Sequence, residues 1–322
     1  MSPRRSSAPF GFAPPVPTVA FEIATGRVTV AEVASSADGL VVSAYASETL
    51  PPEAVTPSLT GPNVPDPAVV TAALRRACEK AGLKVPKRAA LVVPDSAVRV
   101  SLLTFEELPQ KAADIDQLIR WQIKKTTPFP VEDALVSSVV THTAPGATTV
   151  AAVVAQREVI AQYEVAVSAL GLHVGLVDVA SLNVLNAVLA NGNTPAGDWL
   201  LVCLAHESTS LAIVRQGALM FYRHRLAIED EPLGALVHQT AMYHEDRLGG
   251  GRFARVWLCG SSWAAGGGEA MRREISDRLG VQADTVDIRA AATLRDRITP
   301  GADVLDALAA PLGILVRERQ GA

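Results

Sequence analysis

Apolar positions alternate with period two in some stretches of the chain and recur at helical spacing in others. Residues 18–23, 27–33 and 40–47 read as three short strands. Turns at Ala24-Thr25-Gly26 and Ser36-Ala37-Asp38-Gly39 separate them, and Asp-Gly is a strong hairpin signal. After a proline-rich connection over 51–67, residues 67–81 read as a helix. Asp66 is placed to cap it, Pro67 suits its first position, and Gly82 ends it. Val70, Leu74, Ala77 and Ala81 form its apolar stripe, and residues 88–93 follow as a buried strand.

The middle third predicts a strand at 98–105, a helix at 115–125 stopped by Pro128-Phe129-Pro130, and strands at 135–142 and 149–155. A helix at 157–170, a short strand at 174–177 and an apolar helix at 180–190 come next. From Trp199 the opening order returns: strand, loop, hairpin across Gln216-Gly217, helix, strand. The predicted elements are strands at 199–204, 210–215 and 218–224, a helix at 232–248 and a strand at 255–259. Further on are a helix at 269–279, a strand at 281–286 and a final helix at 304–319 interrupted by Pro311. The two copies, starting near Thr18 and Trp199, share pattern rather than identity. Two such units facing each other are the topology of an actin-like (ribonuclease H-like) duplicated α/β fold, in which two strand-loop-strand elements grip phosphate with backbone amides.

Composition narrows the function classes. The chain has 322 residues, with 29 Lys+Arg against 33 Asp+Glu. That slightly acidic balance argues against a nucleic-acid binder, and 5% aromatic residues leave few stacking platforms. No apolar run reaches the ~18 residues of a membrane span. Prolines 9, 14, 15 and 17 break up the N-terminus, so residues 1–17 read as a disordered leader rather than a signal peptide. Cys78, Cys203 and Cys259 lie far apart without a CxxC pair, which excludes a zinc site and suits a reducing compartment. His238 and His244 would face different sides of one helix, and His244 to Arg247 read as a charged helix end. Arg120, Lys124 and Lys125 beside Trp121 read as a solvated basic helix edge. No nucleophile elbow, P-loop or dinucleotide fingerprint is present, so no catalytic residue is assigned.

The segment from Ala90 to Asp133 resembles the type IV pilus assembly protein PilM family. The resemblance rests on Val93-Pro94-Asp95-Ser96, the helix running into Pro128-Phe129-Pro130, and Glu132-Asp133. It implies an actin-like fold with an FtsA-like inserted subdomain, divided as 18–97, insert 98–170, and second half 171–322. It also implies a cytoplasmic scaffold, peripheral to the inner membrane, that binds the N-terminal peptide of a PilN-like membrane protein and can self-associate into a ring. The expected peptide groove lies between the first subdomain and the insert, with Val98, Val100, Leu102 and Phe129 as contributors. Edge strands there would add the peptide by β-augmentation.

Relatives in that family bind ATP, and the resemblance places a nucleotide at Glu22, Thr25, Gly26, Ser208, Thr209, Gly260 and Ser261. The residues themselves argue against a working Mg·ATP site. A family Asp-Ile-Gly is Glu22-Ile23-Ala24 at the first hairpin and Cys203-Leu204-Ala205 at the second. A thiol is a poor magnesium ligand, and Glu207 would oppose a polyphosphate. The sequence therefore predicts weak or absent ATP binding and negligible hydrolysis. Two alternatives differ in class. An active actin-like ATPase or small-molecule kinase would need a metal carboxylate at both hairpins. The cytoplasmic part of a GspL-type type II secretion protein would share the fold but carry a transmembrane helix after it, and none occurs before Ala322.

Overall fold

A computed structural model describes residues 16–37, 39–190, 192, 194–227, 232–263, 267–295 and 298–320. The leader expected at 1–17, except its last two residues, and Asp38 of the Asp-Gly turn lie outside the described residues. The chain begins with β1 (Val19–Ala24), β2 (Arg27–Ser36), β3 (Gly39–Thr49), α1 (Pro67–Ala81) and β4 (Arg88–Val93). An inserted module follows: β5 (Arg99–Phe105), α2 (Ala112–Ile123), β6 (Ala134–Ala144) and β7 (Ala147–Gln156). Then come α3 (Arg157–Ser168), β8 (His173–Val179) and α4 (Ala180–Ala190). The remainder is β9 (Trp199–Leu204), β10 (Ser208–Arg215), β11 (Ala218–Leu226), α5 (Leu233–Leu248), β12 (Arg255–Cys259), α6 (Gly268–Leu279), β13 (Ala283–Thr285), β14 (Thr293–Leu294) and α7 (Ala302–Gln320).

Local chemistry sets the ends of α1. The Asp66 carboxylate accepts from the Ala68 N–H at 2.9 Å. At the other end Gly82 is left-handed (φ 63°). The N–H of Gly82 donates to the carbonyl of Glu79 and that of Leu83 to Cys78, a Schellman closure.

The strands form three sheets. One runs β14-β3-β2-β1-β4-β8, the second β11-β10-β9-β12-β13, and the third β5-β7-β6. Setting β14 aside, the first two share one order: third, second, first, fourth and fifth strand of each unit. The repeat read in the sequence is thus a repeat of topology. In each unit the first strand pairs antiparallel with the second and parallel with the fourth. β8 lies where the sequence reading places the second half, yet it pairs in parallel with β4, from Arg88 opposite His173 to Val93 opposite Val179.

Period-two alternation sorts side chains onto the two faces of the first sheet. Phe21, Ile23, Leu91 and Val93 enter one core with Leu74 of α1 and Tyr163 of α3. Ala20, Ala90 and Val92 face the other way, into a core shared with α4, α7 and Trp199 of the second sheet. Glu22 is buried on that same inner side, between the halves. The insert has its own core around Ile119, Ile123, Phe129 and Val154.

Several elements depart from expectation. The 281–286 strand contracts to three residues, and α2 starts three residues early. Residues 95–97 form a 3-10 turn, so β5 starts at Arg99. β14 pairs with β3 although nothing in the sequence marks it. Pro311 sits inside an unbroken α7. Residues 306–316 are buried without exception, and that packing outweighs the ~3 kcal/mol that an interior proline costs.

Candidate functional site

Two places on the molecule gather chemistry. The first is the cleft between the halves. The β1–β2 turn, the β9–β10 turn, the end of β12 and Asp306 of α7 enclose a cavity of about 60 Å³. Of the nucleotide residues expected from the resemblance, Glu22, Thr25 and Gly260 line it, while Gly26, Ser208, Thr209 and Ser261 lie outside its lining. The Glu22 carboxylate accepts from Arg27 at 2.9 Å, across the hairpin. The same guanidinium lies 3.6 Å from the centre of the Trp263 ring, in a cation–π contact.

The backbone at the β12 end is equally engaged. The N–H groups of Gly260 and Ser262 donate to the Asp306 carboxylate at 2.8 and 2.9 Å. Gly260 has φ 82°, and a β-carbon there would fall 2.0 Å from the carbonyl oxygen of Leu204. Only glycine lets the two strand ends approach so closely. Burial, with the carboxylates of Asp95 and Asp306, pushes the Cys203 thiol well above its usual range, so it is a neutral thiol at the cleft wall.

From one wall of this cavity, lined by Asp95, Ser181 and Ser210, runs a polar network that engages the Val93-Pro94-Asp95-Ser96 motif. The Tyr222 hydroxyl donates to Asp95 at 2.6 Å. The Ser181 N–H donates to the other Asp95 oxygen at 3.2 Å, and the Ser181 hydroxyl bonds the carboxylate too. Ser96 Oγ lies 3.1 Å from Nε2 of His224, whose Nδ1 lies 3.0 Å from Ser210 Oγ. The exit of β4, the start of α4 and strands β10 and β11 are thereby tied together across the halves. Burial lowers the pKa of His224, opposed by the carboxylates of Asp95 and Glu207. The sequence reading missed Tyr222 and the role of His224. Their partners in the Asp95-Ser96 motif are over a hundred residues away, and no local spacing signals them.

His244 is also corrected. It is buried rather than part of an exposed charged helix end, stacks on Phe253 with ring centres 4.4 Å apart, and places Nε2 2.6 Å from Asp198. Arg215 shares that carboxylate at 2.6 Å and holds Asp198 below the usual carboxylate range. No group of His, Cys, Asp or Glu suited to a metal occurs among the described residues.

The second place is a groove between the insert and the first sheet. β6 and β8 are both sheet edges. They face each other across a cavity of about 490 Å³, lined by Leu135, Val136, Leu176 and Val177, with Ile160 of α3. Arg120, Arg157 and an Asp178–Arg317 ion pair supply its polar rim. Of the residues expected in a peptide groove, Val98 lines this cavity; Val100, Leu102 and Phe129 do not. Val100 and Leu102 belong to β5, on the far side of β7, and Phe129 is consumed by the insert's core. Arg120 turns away from the expected basic edge to bond Asp116 at 2.7 Å and the Val131 carbonyl at 3.1 Å. Trp121 remains exposed.

The family model described as type IV pilus assembly protein PilM matches residues 21–227, which hold both hairpins, the inserted module and the two strands, β6 and β8, that face each other across the groove. The chain belongs to the PilM family. Among solved structures, a PilM–PilN type IV pilus biogenesis complex is similar at TM-score 0.79 and 17% identity, over 95% of this chain and 99% of that one. A Bacteroides thetaiotaomicron protein with an actin-like ATPase fold matches at TM-score 0.49 and 8% identity, over 83% and 90% of the two chains. The cytoplasmic domain of EpsL, an inner-membrane component of the Vibrio cholerae type II secretion system, matches at TM-score 0.47 and 9% identity, over 94% of each chain. No curated protein matches by sequence. The repeated strand order and the PilM-like architecture make the fold actin-like. No helix among the described residues is long and apolar enough to cross a membrane.

Proposed function

We propose that this PilM-family chain is a scaffold of the inner-membrane platform of a type IV pilus, and that it holds an extended N-terminal peptide of a PilN-like membrane protein in the β6–β8 groove. The observation that carries this reading is the pair of free strand edges facing one another over an apolar cavity of about 490 Å³. Edge strands offer unpaired N–H and C=O groups, so a peptide can add as a strand while alternate side chains enter apolar pockets. The volume falls within the ~300–1,000 Å³ typical of ligand sites. The similar solved structure is a PilM–PilN complex, which supports the choice of partner. Attachment at the cytoplasmic face of the inner membrane would then come through the partner, and ring assembly through repeated partner contacts.

In the same reading the interhalf cleft is a degenerate nucleotide site. The residues there do not fit Mg·ATP. Glu22 is neutralised by Arg27, the Gly260 and Ser262 amides at the end of β12 already serve Asp306, Cys203 is a neutral thiol, and the cavity is about 60 Å³. The hairpins persist because they carry the sheets and the cross-half network. We also place the division between halves at α4 rather than at 171, since β8 completes the first sheet.

Titration of the full chain with a synthetic peptide of the first ~20 residues of the cognate PilN-like protein tests the partner reading. Saturable binding is expected, and it is lost in Ser137→Arg, which fills the groove from an exposed edge position. Absence of saturable binding to the unaltered chain overturns it. In parallel, Mg·ATP is expected to leave the melting temperature unchanged, because a ligand stabilises only what it binds. Micromolar Mg·ATP affinity overturns the degenerate-site reading.

A further inference from the structure

The free edge of β6 does not end where the 490 Å³ cavity ends. Residues 137–141 line a second cavity of about 150 Å³, whose other walls are Leu182, Leu185 and Leu189 of α4 and Leu219 of β11. Ser137, Val153, Asp178 and Arg317 line both cavities, so the two are neighbours along one strand edge. The Asp178–Arg317 ion pair forms the polar saddle between them, and Asp178 also accepts from the Val179 N–H at 2.8 Å.

We infer that the partner peptide runs over this saddle and seats a second large apolar side chain against α4 and β11, so that it is read at two anchors about four residues apart. The inference rests on the peptide-binding reading of the groove and extends it. The first cavity is lined by residues 134–137 of β6 and the second by 137–141. Their centres are therefore separated by three to four residues, roughly 12 Å at ~3.3 Å per residue. Side chains on one side of an added strand repeat at even spacing, which selects four. An apolar cavity of about 150 Å³ is large enough to admit a benzene ring, so one leucine-to-phenylalanine side chain suits it. The same free edge supplies the backbone bonds throughout, which is why the occupant is a continuation of the peptide. The ion pair favours a small or polar residue between the anchors.

The second pocket differs from the first in what it touches. The first is walled by the insert and the first sheet, with Arg317 at its rim, whereas β11 belongs to the second sheet and α4 joins the two halves. A peptide holding both pockets thus bridges all three sheets.

The test is an alanine scan of the synthetic ~20-residue peptide, titrated against the full chain and against Leu189→Trp, which fills the second pocket alone. Retained circular dichroism and melting of the variant exclude misfolding as a cause. The expected result is two sensitive apolar positions four apart, with the second alanine weakening binding at least about tenfold. Leu189→Trp should weaken the parent peptide similarly and be indifferent to that second alanine. If Leu189→Trp binds as well as the unaltered chain while Ser137→Arg still blocks, the peptide uses the first pocket only; the partner reading stands and this inference falls. A single sensitive position in the scan also removes the second anchor and leaves the partner reading standing. A peptide-free dimer that Leu189→Trp abolishes assigns the pocket to a second copy and overturns the inference as well. No binding to the unaltered chain removes both readings.

Discussion

Asp95 shows how one buried carboxylate can be held by tertiary partners alone. It is 8% exposed and accepts from Tyr222, the Ser181 backbone and the Ser181 hydroxyl. Hydrogen bonds to an ionised acceptor are stronger than neutral ones, and removing a donor leaves a buried lone pair unsatisfied. Tyr222→Phe, which deletes only the hydroxyl, is expected to cost about 1–3 kcal/mol in urea unfolding. A loss under ~0.5 kcal/mol would show that the network is dispensable. Glu22 teaches a related lesson. Read alone it is a metal-site carboxylate one methylene too long; read with Arg27, which faces Ala24 across the hairpin, it is half of an ion pair. The sequence offers both residues but not their contact, because the turn geometry that aims Arg27 back at Glu22 is three-dimensional.

At the scale of elements, the crossing of α4 and α7 governs how the halves meet. Gly313 of α7 lies against the α4 backbone, where a β-carbon would fall 1.8 Å from the Asn183 carbonyl oxygen. Backbone cannot move aside as a flexible side chain can, so the two helices would have to separate. Gly313→Ala is therefore expected to destabilise by about 1–3 kcal/mol, the usual range for overpacking. Thermal unfolding checks it, and an unchanged midpoint would mean the crossing is loose. Most elements were legible from local pattern: α1, α4, β4, β9 and β12 fall where the apolar spacing puts them. Those that were not legible depend on distant partners. β14 exists only because β3 offers an edge, and Pro311 stays helical only because its whole segment is enclosed.

For the whole molecule, the cross-half network makes stability depend on pH. The folded-state pKa of His224 is below its ordinary 6.5, chiefly through burial. The unfolded chain therefore binds the proton more readily, and stability rises with pH across the window below about 6.5. Above that window both states are neutral at His224, and its contribution is complete. Acidification from pH 7.5 to 5.5 is expected to lower the unfolding free energy, and His224→Gln, which keeps a side chain able to bond both serines, should flatten that slope. An equally steep slope in the variant would assign the effect elsewhere. The groups facing His224 in this window are Asp95 and Glu207, with Tyr222 alongside on Asp95.

Apolar periodicity and turn chemistry, which are local, determined the element order, the repeat of a four-strand unit, and the class of fold. The Val93-Pro94-Asp95-Ser96 and Pro128-Phe129-Pro130 motifs were enough to indicate the family. Only the tertiary structure decided what those residues do. Phe129, a natural groove candidate by position, serves the insert's core, while the groove belongs to β6 and β8, which end at 144 and begin at 173 respectively, with 28 residues of chain between them. Which strands remain edges is a property of sheet order, and sheet order is set by pairing between distant segments. The same reason hid the contacts of Arg27 with Glu22 and of Asp306 with Gly260 and Ser262 in the interhalf cleft: each is short in space and has no fixed spacing in sequence.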